Sequence, residues 1–66
     1  MQITVNGKQQ DADEGLSLTE LVGRITDRST GIAVALNSEV VPRGSWSDTA
    51  VRAGDRIDVV TAVQGG

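Results

Sequence analysis

The chain has 66 residues, 9 acidic and 6 basic side chains, a net charge of −3, and no His, Cys or Tyr. A chain this short buries only about 60% of the surface its unfolded form exposes, so it makes one domain around one small core. The missing residue types remove disulfides, thiol nucleophiles, zinc ligand sets and the usual general base near neutral pH. Six scattered cations and one aromatic, Trp46, offer nucleic acid neither a basic stripe nor a stacking platform. The expectation is a non-enzymatic protein whose partners are proteins, with no nucleic-acid and no membrane binding. The N-terminal stretch has no basic-then-apolar pattern and no apolar run approaches membrane-spanning length, so a cytoplasmic location is expected.

Met1 to Val5 alternates Met1, Ile3 and Val5 against Gln2 and Thr4, the period of a strand with one buried face. Asn6-Gly7 then favours the primed turn that suits strand twist, which sends Lys8 to Ala12 back as a polar edge strand. In "LSLTEL", Ser17 stands three residues before Glu20, the spacing of a capping box, and a helix is expected from Ser17. Leu16 and Leu21 are placed for the accompanying staple. Leu18, Leu21, Val22 and Ile25 share one helical face, Arg24 and Arg28 come late where cations favour the dipole, and Gly31 is available as a left-handed stop.

"IAVAL" alternates Ile32, Val34 and Leu36 with Ala33 and Ala35, and "NSE" turns into a short strand, Glu39 to Val41, that Pro42 ends. Arg43 to Val51 shows no clean period and reads as an irregular crossover with one helical turn near Ser47 and Trp46 folded onto the core. "AGD" then turns into a last strand, Arg56 to Val60. The expected core is Ile3, Val5, Leu18, Leu21, Val22, Ile25, Ile32, Val34, Leu36, Val51, Ile57 and Val59. This element order suits an α+β β-grasp arrangement: a mixed sheet of about five strands with one main helix packed across one face.

After the last strand the chain ends on "TAVQGG", and chance places Gly-Gly at a terminus in roughly 0.5% of chains. The reading is a β-grasp domain over residues 1–61 and a C-terminal tail over 62–66. A terminal carboxylate is ionised at neutral pH and is a poor acyl donor until a better leaving group replaces oxide. Two residues without side chains suit a tail that must enter a narrow channel and leave its last carbonyl unhindered.

A β-grasp domain ending in Gly-Gly resembles the ubiquitin-like family. The stretches "VALNSEVVPR" and "GDRIDVVTAVQGG", with Trp46 between them, are similar to the bacterial sulfur carriers of thiamine biosynthesis over most of the chain. The resemblance implies that Gly66 is adenylated and then becomes a thiocarboxylate, with Gly65, Gln64 and Val63 threading behind it. It implies no cofactor bound by the chain itself, and ATP with Mg2+ used by a ubiquitin-activating-like adenylyltransferase. It also implies a thiazole synthase as sulfur acceptor, and a cysteine desulfurase or a rhodanese-type persulfide as sulfur donor. Alternatives are a carrier for molybdopterin or cysteine synthesis, a ubiquitin-like protein modifier, and a passive β-grasp module. On the sheet face away from the helix, Ala33, Ala35, Val60 and Ala62 are expected to form a shallow partner-docking patch.

Overall fold

The structure is a computed structural model that describes residues 1–26 and 31–61. Strand β1 (Gln2–Val5) buries Ile3 and Val5 on one face, as its alternation requires. Asn6 and Gly7 both take left-handed angles, φ 50° and 82°, and this two-residue turn returns the chain as β2 (Lys8–Asp11). The pairing is antiparallel from Val5 opposite Lys8 to Gln2 opposite Asp11, and every β2 residue is exposed.

Helix α1 (Leu18–Ile25) begins at the expected capping box. The Glu20 N–H donates to Ser17 Oγ at 3.2 Å, and the Ser17 N–H donates to Glu20 Oε1 at 3.1 Å. Leu16 and Leu21, the staple pair, are both buried in the same core cluster. The helix stops sooner than the glycine signal implied: Thr26 is the C-cap, with extended angles. Gly31 does take a left-handed φ of 74°, but five residues later, so it sets the approach to the next strand rather than ending the helix. Arg24 lies in the last turn, whereas Arg28 falls outside the described residues.

Strand β3 (Ile32–Leu36) and β4 (Glu39–Val40) form a second tight hairpin across Asn37 and Ser38, whose φ angles are 52° and 73°. The crossover is more regular than its sequence suggests, because Arg43–Asp48 forms a 3-10 helix. Its Trp46 is buried at 5% exposure, and the indole N–H donates to the Val41 carbonyl at 2.8 Å. The chain after it runs against the start of α1: the Leu18 N–H donates to the Thr49 carbonyl, and the Val51 N–H to the Leu16 carbonyl, each at 2.8 Å. Strand β5 (Arg56–Thr61) closes the sheet.

The sheet order is β2-β1-β5-β3-β4, with β1 parallel to β5 and the other pairs antiparallel. The last strand in sequence is therefore the central strand in space. The buried cluster is Ile3, Val5, Leu16, Leu18, Leu21, Val22, Val34, Trp46, Val51 and Ile57. Ile25, Ile32, Leu36 and Val59, expected in the core, pack against it half-buried. Leu16 and Trp46 complete it instead, because the crossover folds over the helix N-terminus and covers both.

Candidate functional site

The expected acyl site, Gly66, and its neighbours Gly65, Gln64, Val63 and Ala62 lie outside the described residues. What the structure describes is the root from which they continue. Thr61 ends β5 opposite Ile32 of β3, and Val60 stands opposite Ala33. The tail is thus attached to the middle of the sheet.

The pairing register sorts side chains by face. Ile57 and Val59 of β5 and Val34 and Leu36 of β3 are cross-strand partners on the side of the core. Ala33 and Ala35, Val60 and Asp58 consequently share the other side. Val40 stands opposite Ala35 from β4 and joins them. Val40, Ala35, Ala33 and Val60 form a diagonal apolar stripe from the β4 edge to the tail root. Its two ends are open to solvent at 72% exposure for Val40 and 59% for Val60. Ala33 is exposed and Ala35 half-buried.

Beside the stripe on β5, Arg56 and Asp58 form an ion pair, Nε to Oδ2 at 3.4 Å. The Arg56 guanidinium also donates to Ser38 Oγ at 3.0 Å. Among the described residues of β5, the charges beside the apolar stripe are this one balanced pair.

Ala33, Ala35 and Val60 therefore come together as expected, while Ala62 lies outside the described residues. Val40 was missing from the sequence-based patch. Its signal was available in the turn: a two-residue Asn37-Ser38 loop forces Leu36 opposite Glu39 and Ala35 opposite Val40.

The acidic loop finds partners within the chain. Asp13 accepts from Arg24 at 3.3 Å, and Glu14 lies 3.9 Å from the Met1 ammonium, which donates to the Ala12 carbonyl at 2.8 Å. Met1, Asp11, Ala12, Asp13 and Arg24 line a shallow polar cleft of about 260 Å3. Among the described residues, no group of three or more acidic side chains is placed to hold a metal, and no helix is long and apolar enough to cross a membrane.

A five-stranded mixed sheet crossed by one helix, with its terminal strand in the centre, defines a ubiquitin-like β-grasp protein. The model of the ThiS family matches residues 3–66. The chain is 33% identical to the sulfur carrier protein ThiS of Escherichia coli, with all of both chains covered. It is 30% identical to a thiazole synthase of Paramagnetospirillum magneticum, where it spans the whole of this chain but a fifth (20%) of that protein. Among solved structures, the crystal structure of a thiamine biosynthesis protein (ThiS) from Geobacter metallireducens superimposes with a TM-score of 0.87 at 35% identity, all of both chains covered. The chain belongs to the ThiS family, and with it to the sulfur carriers of thiamine biosynthesis.

Proposed function

We propose that the Gly66 carboxylate is the atom that carries sulfur and that this chain is a co-substrate of partner enzymes. In an adenylyltransferase, one carboxylate oxygen attacks the α-phosphorus of ATP and expels pyrophosphate, with Mg2+ offsetting the phosphate charge. The terminal sulfur of a persulfide, on a desulfurase or a rhodanese-type partner, then attacks the acyl carbon and displaces AMP, giving an acyl disulfide. A partner thiol attacks the sulfur of that disulfide not bound to the acyl carbon, forming a protein disulfide and releasing the acyl-bound sulfur. The product is a thiocarboxylate, which hands its sulfur to a thiazole synthase. A carrier that depends on an ATP-using partner in this way works in the cytoplasm.

The observation that carries this reading is the tail root. Central strand β5 runs to Thr61 and remains paired with β3 from Ile57 to that last residue. Five residues follow, which span at most about 15–18 Å when extended. Residues 1–61 then act as a handle docked through the Val40–Val60 stripe, while 62–66 deliver the carboxylate. The resemblance to part of a thiazole synthase supports the acceptor, since one chain there holds a carrier-like segment and the remainder of a protein of that name.

The test is intact mass after incubation with ATP, Mg2+, the cognate adenylyltransferase and sulfide, beside a chain lacking Gly66. The expected result is a gain equal to one oxygen replaced by sulfur in the full chain and none in the truncated one. An unchanged mass, with the enzyme shown active on another carrier, would overturn the reading.

A further inference from the structure

Both neighbours of β5 end in an asparagine with left-handed angles, Asn6 after β1 at φ 50° and Asn37 after β3 at φ 52°. A tight turn alone would account for each. The two side chains nevertheless do the same second thing. The Asn37 N–H donates to the Arg56 carbonyl at 2.7 Å, and the Arg56 N–H is returned to Asn37 Oδ1 at 2.9 Å. On the opposite flank, the Asn6 N–H donates to the Ile57 carbonyl at 2.9 Å, and the Val59 N–H donates to Asn6 Oδ1 at 2.8 Å. In each case the carboxamide oxygen takes the place of the main-chain carbonyl that continues a regular ladder.

These two clasps act at different points along the strand. Asn37 holds Arg56, the first residue of β5, and its Nδ2 donates to Asp55 Oδ1 at 3.0 Å, while Asp55 Oδ2 accepts the Arg52 N–H at 2.8 Å. That network belongs to the entry of β5. Asn6 instead holds Val59, two residues before Thr61 and the start of the tail. The last pairing with β1 is Val5 opposite Ile57. Past that pair, among the described residues, the bond to Asn6 is what holds β5 on the β1 flank.

We propose that Asn6 is a positioning residue for the acyl site, acting through the Val59 N–H to fix the direction in which the tail leaves the sheet. The assignment rests on the reading that the Gly66 carboxylate is adenylated. An extended tail is a lever: at a reach of about 15–18 Å, a swing of about 10° at its root moves its end by about 3 Å. A misplacement of about 1 Å can slow a reaction about a hundredfold. Asn6 is not part of the Val40–Val60 stripe, so its loss leaves docking intact and shows in turnover.

The test makes one lesion at each end of the strand. In Asn6→Gly and Asn37→Gly, glycine keeps the left-handed turn and removes the carboxamide. Asn6→Asp keeps an oxygen at the same reach and suits the same turn. Pyrophosphate release is followed with ATP, Mg2+ and the adenylyltransferase while the carrier concentration is varied, and Trp46 fluorescence checks the fold. Amide exchange is read at Val59 and, as a reference, at Leu18, whose N–H donates to the Thr49 carbonyl. Asn6→Gly is expected to lower kcat by about tenfold or more, with KM within about twofold of wild type. Val59 exchange should quicken by about tenfold while that of Leu18 is unchanged. Asn6→Asp should recover both properties, and Asn37→Gly should keep the wild-type kcat.

Wild-type kcat in Asn6→Gly, or no recovery in Asn6→Asp, overturns the proposal. An equal fall in Asn37→Gly also overturns it, because a merely structural role treats both clasps alike. Should Asn6→Gly fail to fold, a semisynthetic chain with an ester in place of the Val59 amide removes the donor instead, and wild-type kcat there overturns the proposal in the same way. No pyrophosphate release from wild type, with the enzyme active on another carrier, overturns the functional reading and this assignment with it, a result distinct from any difference among the variants.

Discussion

The Trp46 indole donates its N–H to the Val41 carbonyl at 2.8 Å, which ties the 3-10 helix to the residue that follows β4. The ring also fills the core at 5% exposure, and the Arg43 guanidinium lies over it, 5.5 Å from its centroid. Replacing Trp46 with Phe keeps an aromatic body but leaves that carbonyl without its donor. The expected loss is about 1–3 kcal/mol of unfolding free energy, read from urea titration. Trp46→Ala should cost about 3–5 kcal/mol, the larger penalty of an emptied core site. A loss below about 0.5 kcal/mol for the Phe variant would show that the bond adds nothing beyond ring packing.

The capping box predicts a smaller effect. Ser17→Ala removes the acceptor for the Glu20 N–H at the first turn of α1 and should cost about 1 kcal/mol. Ser17→Asp, which keeps an oxygen at the same reach, should retain most of the stability. Thermal unfolding of the three chains in parallel decides it. Equal losses in both variants would mean that the hydroxyl acts through a different contact.

At the β3-β4 turn, Ser38 holds a left-handed φ of 73°, where a side chain is strained. Ser38→Gly relieves that strain, at the loss of the exposed bond from Arg56 and some unfolded-state entropy. The net expectation is a gain of about 0.5 kcal/mol, or roughly 2–4 °C in Tm for a domain of this size. A fall in Tm would show that the Arg56 contact outweighs the backbone.

The apolar stripe makes a prediction about rate rather than stability. Val60→Asp and Val40→Asp alter side chains that are mostly in water, so each should change folding by no more than about 1 kcal/mol. Both should lower kcat/KM for adenylation by about tenfold, equivalent to 1.4 kcal/mol of docking. A loss confined to Val60 would restrict the docking surface to the tail root, and no loss in either would exclude the stripe from activation.

The elements that the sequence disclosed were those with local causes. Asn6-Gly7 fixed a hairpin, Ser17 with Glu20 fixed a helix start, and Ile32, Val34 and Leu36 fixed a strand face. Val40 was hidden because adjacent valines at 40 and 41 have no period, and its face depends on the pairing partner across the turn. Trp46 folds onto the core and Leu16 packs with Leu21 as expected, but both are full members of the core cluster, for a related reason. Their burial comes from the crossover lying against the start of α1, a contact between segments about 30 residues apart that no window of sequence contains. Asn6 announces only a turn, since nothing near it in the chain signals a bond to Val59, 53 positions away.

The central place of β5 has a mechanical consequence. A partner that draws the terminus into a channel pulls along the axis of this strand, and the load falls in shear on the hydrogen bonds to β1 and β3 together. Bonds loaded side by side must yield at once, whereas an edge strand peeled from its end gives way one bond at a time. A load applied at the C-terminal end of β5 is therefore shared by both neighbouring strands before the sheet can unravel.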